Sequence, residues 1–174
     1  MSRELDSQNI IEFGSWAGVN AIFLATALAE LYPDAKVYAL DTYEGMPTVD
    51  EQYDMVEAGR FQVEGGIEGI RAYASSLGLK NIEFVQGLFQ DTLPPLLATG
   101  VKFGLAHVDA DIYSACKYAQ DTVWPSLVKG AYITYDDPLD STNMGAMQAL
   151  EEMIVERDIR TEQMFPHPVL RAHL

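Results

Sequence analysis

Two short groups of carboxylates suggest metal chemistry: Asp109-Ala110-Asp111 and Asp136-Asp137. Each follows an apolar run that reads as a buried strand, so the groups meet if those strands are neighbours. Crowded carboxylates cost energy unless something neutralises them. A hard divalent cation with oxygen ligands is the usual solution, most simply Mg2+, with Asp109, Asp136 and Asp137 as ligands. Asp111 falls where a helix begins and suits a cap. His107 lies two positions before Asp109, on the same face of a regular strand, and is a candidate general base. A histidine satisfied within the core is the alternative, and the commoner one. Lys117 is expected to be solvated and Cys116 to be a small buried apolar residue. His167 and His173 carry no motif.

A second candidate site is the segment Glu12-Phe13-Gly14-Ser15-Trp16-Ala17-Gly18-Val19-Asn20. It reads as a strand running through a glycine turn into a helix. Glycines there let the backbone approach a ligand closely. A dinucleotide fingerprint needs G-x-G-x-x-G, whereas here Trp16 takes the place of the middle glycine. Glu12 would repel a phosphate and attract an ammonium or sulfonium group. The turn therefore favours a cationic cofactor bearing an amino acid over a nicotinamide dinucleotide; a tight turn that binds nothing is the alternative. Asp41, after the second strand, suits the two hydroxyls of an adenosine ribose, or caps a loop. Trp16 and Phe89 either flank a cofactor or, by default, pack in the core.

These residues need a scaffold. Short apolar runs at Asn9–Phe13, Lys36–Leu40, Ile82–Val85, Phe103–Val108 and Ala131–Tyr135 read as strands. Helical patterns at Asn20–Tyr32, Ile67–Leu77, Tyr113–Leu127 and Met144–Glu156 alternate with them. Arg160–Phe165 and Val169–His173 add short strands. Such alternation implies βαβ units and a mainly parallel sheet with helices on both faces. Ligands of open α/β sheets sit beyond the carboxyl ends of the strands. Gly14, Asp41, Gln86, Asp109 and Asp136 each lie just past an expected strand end. The acidic segment 42–64 has no clean period and reads either as a lid over those ends or as an ordinary solvated connection.

The chain has 174 residues, which favours one domain over 1–174. A formal charge of −15 argues against nucleic acid and anionic membrane surfaces as partners. No apolar run approaches transmembrane length, and the N-terminus has no apolar signal-peptide core. The single cysteine excludes an intramolecular disulfide and a multi-cysteine zinc site. A cytoplasmic protein is expected.

The segments IEFGSWAGVNAIFLA, VYALDTYEGMP, FVQGLFQDTLP and LAHVDADIYSACKYAQDTVWPSLVKGAYITYDD resemble successive motifs of class I S-adenosylmethionine-dependent methyltransferases, most of all the macrocin O-methyltransferase (TylF-like) family. The likeness runs over about residues 9–155. It implies a Rossmann-like, three-layer αβα sandwich with a seven-stranded sheet ending in an antiparallel hairpin. It places the methionine part of S-adenosyl-L-methionine on Glu12, Gly14, Ser15 and Gly18, the ribose on Asp41, and the adenine near Gln86, Gly87 and Phe89, with Asp109 also at the cofactor. It assigns Mg2+ to Asp109, Asp136 and Asp137, with Asp109 doubling as base. The implied reaction is O-methylation of a small-molecule hydroxyl, on a sugar or phenol of a natural product. A metal-independent methyltransferase and an inactive cofactor-binding or oligomer-forming module remain alternatives, and a homo-oligomer is compatible with all of them. Relatives usually carry extra N-terminal helices; with the glycine turn at residue 14, the chain is expected to lack them.

Overall fold

The computed structural model describes residues 5–49, 51–140 and 142–172. Seven strands form one sheet: β1 (Ile10–Phe13), β2 (Val37–Asp41), β3 (Ile82–Gln86), β4 (Phe103–Val108), β5 (Leu127–Tyr135), β6 (Thr161–Gln163) and β7 (Val169–Arg171). Their spatial order is β3-β2-β1-β4-β5-β7-β6. The first five run parallel, and β7 lies antiparallel to both β5 and β6. The helices are α1 (Val19–Leu31), α2 (Gly66–Ser76), α3 (Phe89–Ala98), α4 (Tyr113–Val123) and α5 (Met144–Glu156).

Strand periodicity divides the core in two. Ile10, Val37 and Ala39 face α1 and α2, packing with Ala21, Ile22, Ala25, Ile67 and Ile70. Ile11, Phe13, Tyr38 and Leu40 face the other way, packing with Leu93, Cys116, Ala119, Leu150 and Met153 of α3, α4 and α5. Both faces being covered, the strands read as continuous apolar runs. This is the three-layer αβα sandwich the sequence implies.

Three segments differ from expectation. Helix α3 stands where no helix is expected, because Pro94 and Pro95 lie inside it. They remove two backbone donors, and the helix is held instead by packing, with Leu93 fully buried. Helix α4 stops at Val123, and a single 3₁₀ turn at Trp124–Ser126 takes up Pro125. Strand β5 then starts at Leu127, ahead of the expected Ala131. Its pairing with β4 jumps between Phe103↔Leu127 and Leu105↔Tyr132, and Gly130 in the irregularity has φ +80°. Lys129-Gly130 imitates a turn in sequence but is a bulge within the strand. His173 lies outside the described residues.

Candidate active site

Register brings the polar residues together. Phe13 pairs with Leu40 on one side and Val108 on the other, and Val108 pairs with Tyr135. The strands therefore end level, and Asp41, Asp109 and Asp136 emerge along one edge. Backbone bonds hold these ends together: Gly14 N–H donates to Leu40 C=O (2.9 Å), Asp109 N–H to Phe13 C=O (2.9 Å) and Asp136 N–H to Val108 C=O (3.0 Å). Above them lies a cavity of about 600 Å3, within the range of cofactor sites.

At one end the cavity meets the β1–α1 turn. Gly14 has φ +87°, and a Cβ there would run into the Asp109 carbonyl. Only glycine lets the two strand ends lie this close. Trp16, at φ +42°, donates its backbone N–H to Asp41 Oδ2 (2.8 Å). Asp41 Oδ1 accepts from Tyr43 N–H (2.7 Å). A carboxylate has about four lone-pair sites, so Asp41 shapes the turn and still has acceptor capacity toward the cavity. Gly87 (φ +139°) and Phe89 complete this end.

At the other end Asp109, Asp136 and Asp137 each present an oxygen within 4.8 Å of the others. Asp137 is buried; its Oδ2 accepts from Asp111 N–H (2.8 Å) and its Oδ1 from Asn143 Nδ2 (2.7 Å). The same amide reaches Asp111 Oδ1 (3.2 Å). Burial, then the charges of Asp137 and Asp136, push the Asp109 carboxyl up to about 8. Burial and Asp137 push Asp111 up to about 7, against the Asn143 hydrogen bond and the Arg60 charge. Burial also raises Asp137, opposed by its two hydrogen bonds. Asp136 is exposed, with His167 Nδ1 at 3.2 Å. An acidic cluster of this kind is stabilised by a bound cation.

The segment between β2 and α2 closes the third side. Met46 N–H donates to Arg60 C=O (2.7 Å) and Gly59 N–H to Met46 C=O (2.9 Å). Phe61 sits edge-on to Trp16, with ring centroids 5.8 Å apart. Asp54 Oδ1 accepts from Tyr113 N–H (2.8 Å), and Tyr53 stacks on the Tyr113 ring. Asp54, distant in sequence, thus supplies the cap that α4's own N-terminal residue does not. Residues 45–48, 60 and 61 line the cavity.

A model of the macrocin-O-methyltransferase (TylF) family matches residues 4–165. The chain belongs to that family. It is accordingly an S-adenosylmethionine-dependent O-methyltransferase. No curated protein matches it in sequence. Among solved structures, the O-methyltransferase NovP superposes with a TM-score of 0.80 at 22% identity, over 96% of this chain and 72% of that one. The calicheamicin methyltransferase CalS11 gives 0.80 at 23% identity, over 95% and 72%. TomG from Streptomyces achromogenes, involved in tomaymycin synthesis and solved with its cofactor, gives 0.67 at 18% identity, over 97% and 74%. At such identities the likeness shows the fold.

On this macrocin-O-methyltransferase scaffold the expected site residues separate into two sets. Gly14, Asp41, Gly87, Phe89, Asp109, Asp136 and Asp137 line the cavity. Glu12, Ser15, Gly18, Gln86 and His107 do not. Glu12 is buried on the α1 side of the sheet, where its Oε1 accepts from Asn20 Nδ2 (2.5 Å) and lies 3.3 Å from His107 Nδ1. The even positions of β1 face that side, so strand alternation carries Glu12 away from the site. Burial lowers the His107 pKa, but the Glu12 hydrogen bond and charge outweigh it, and the net shift is upward. Gly18 packs tightly instead: a Cβ there would meet Ile70 at 2.6 Å. Gln86 Nε2 points to Glu44 Oε1 (3.4 Å). Glu12 Oε2 is buried with no hydrogen-bond partner among the described residues. Trp16 is half exposed at the cavity rim rather than packed in the core. Asp111 is not the α4 cap; it has φ +58° and faces the cavity. Arg60, Phe61 and Asn143 carry no signal in sequence, since each reaches the site from a loop or a helix start far along the chain.

The cavity suits the family's cofactor by two features: a bare backbone at Gly14 and an acceptor at Asp41. The three carboxylates suit a hard cation, because all their donor atoms are oxygens.

Proposed function

We propose that the chain methylates a hydroxyl of a small natural-product molecule, a sugar or a phenol, with Mg2+ held by Asp109, Asp136 and Asp137. The observation that carries this reading is the shared cavity: the acidic triad and the Gly14–Asp41 corner open onto the same space. The likeness to CalS11, described as a TDP-rhamnose 3'-O-methyltransferase, supports a sugar as acceptor. When bound, the cofactor supplies a methyl group on a sulfonium, and the cation lowers the pKa of a hydroxyl it holds.

The chain's own residues do the rest. Asp41 accepts the ribose hydroxyls, and Gly14 admits the cofactor closely. Asp109, Asp136 and Asp137 would position the acceptor hydroxyl in line with the methyl group. Asp111 Oδ2 takes the hydroxyl proton. Its Oδ1 is fixed by Asn143, and the residue lines the cavity beside the triad. Asp109, whose lone pairs face the cation, is less suited to that role, and His107 lies outside the cavity. The 45–48 and 60–61 segments exclude water.

Calorimetric titration of S-adenosylmethionine, with Mg2+ and then with EDTA, tests the reading. Saturable binding that Asp41→Ala weakens by about tenfold or more is expected, as for lost hydrogen bonds to a charged acceptor. Mg2+ binding is expected to vanish in Asp136→Ala. Absence of cofactor binding under both conditions overturns the assignment; turnover that survives EDTA overturns the metal's part in it.

A further inference from the structure

The charge on the cavity wall is one-sided. Asp41, Asp91, Asp109, Asp111, Asp136, Asp137 and Asp140 line it, and among the described residues Arg60 is the one lysine or arginine that does. Arg71, Arg157 and Arg171 are each held by a carboxylate. Arg60 makes no such pair within 4.0 Å among the described residues. Its guanidinium lies 4.8 Å from the ring centroid of the adjacent Phe61, with no side-chain hydrogen bond among the described residues.

The side chain is exposed, but the backbone that carries it is held. The Arg60 carbonyl accepts from Met46 N–H, and Phe61 is seated against Trp16. The residue lines the same cavity as Asp111 and Asp140. Those residues belong to the end of the cavity that holds the acidic triad, where the acceptor would sit. A cation serving only to neutralise the aspartates would be drawn into contact with one of them. This one stands off, with a planar fork of donors suited to a carboxylate or phosphate.

We propose that Arg60 selects an acceptor bearing an anionic group, a carboxylate or a phosphate, and holds that group on the loop side of the cavity while the hydroxyl faces Asp109, Asp136 and Asp137. A neutral acceptor would need no free cation here. An anionic one would be repelled by the acidic wall without it. The inference rests on the methyltransferase reading and narrows its substrate class.

The test uses protein loaded with Mg2+ and S-adenosylhomocysteine, and paired probes that differ in charge. One pair is 3,4-dihydroxybenzoate and its methyl ester; the other is glucose 6-phosphate and glucose. We expect the anionic member of at least one pair to bind about tenfold tighter or more, the ratio expected of a charge-assisted contact. The responding pair tells carboxylate from phosphate. Arg60→Gln should abolish that preference, as should Arg60→Ala, while S-adenosylhomocysteine binds both variants as it binds the wild type. The proposal is overturned if the wild type favours neither anionic probe, whether both members of a pair bind or none does. It is overturned if the preference survives in Arg60→Gln, or if S-adenosylhomocysteine affinity falls with the substitution, which would make Arg60 a cofactor ligand. Failure of S-adenosylhomocysteine to bind the wild type would be a failure of the methyltransferase reading itself.

Discussion

Binding of Mg2+ should release protons, and the number follows from the site. Without a cation, burial and the neighbouring carboxylates push Asp109 up to about 8. At pH 7 a carboxyl with that pKa is ~90% protonated, so ligation displaces ~0.9 proton from Asp109. Asp111, pushed up to about 7, is half protonated and adds up to ~0.5 when a cation beside it lowers its pKa. Asp137, also raised, adds to the release. The apparent affinity for Mg2+ should then weaken by at least ~10-fold for each pH unit below about 8 and level off above it. Calorimetry in buffers of different ionisation enthalpy counts the protons directly. Asp111→Asn should remove its own share and leave the ~0.9 from Asp109. An Mg2+ affinity independent of pH between about 6 and 8, with no buffer dependence of the heat, would refute the argument.

The same acids govern stability without metal. An Asp109 pKa of about 8 lies above the unfolded value of 3.8, so the folded state binds the proton more tightly. Metal-free stability should therefore fall as pH rises from about 4 through about 8. In EDTA at the upper end of that range, Asp109→Asn should melt higher than the wild type, and the advantage should disappear near the lower end. Gly14→Ala should lower stability by at least ~1–3 kcal/mol in urea unfolding, since alanine is strained at positive φ and its Cβ meets the Asp109 carbonyl. A wild-type midpoint would contradict the tight approach of β1 and β4. Asp54→Ala should cost ~1 kcal/mol as a lost cap of α4 and speed proteolysis between β2 and α2; equal cleavage rates would argue against that anchor.

The sequence by itself determined the scaffold and half of the site. Strand and helix periods are local properties, so the parallel sheet and its two helical layers were legible. So was the convergence of Asp41, Asp109 and Asp136, because each directly follows or closes a strand and level strands bring their ends together. Where local chemistry misled, packing overruled it: Pro94 and Pro95 hid α3, and Lys129-Gly130 hid the start of β5. Tertiary structure alone decided which face each residue uses. Alternation along β1 turned Glu12 toward α1 and His107, away from the cavity its neighbour Gly14 lines. It also decided what arrives from afar. Asn143, at the start of α5, clamps Asp111 and Asp137; Asp54 caps α4 across the fold; Arg60 enters from a loop without period. The Asn143–Asp111 and Asp54–Tyr113 contacts join residues 32 and 59 positions apart through side-chain geometry, and no local pattern records such a distance.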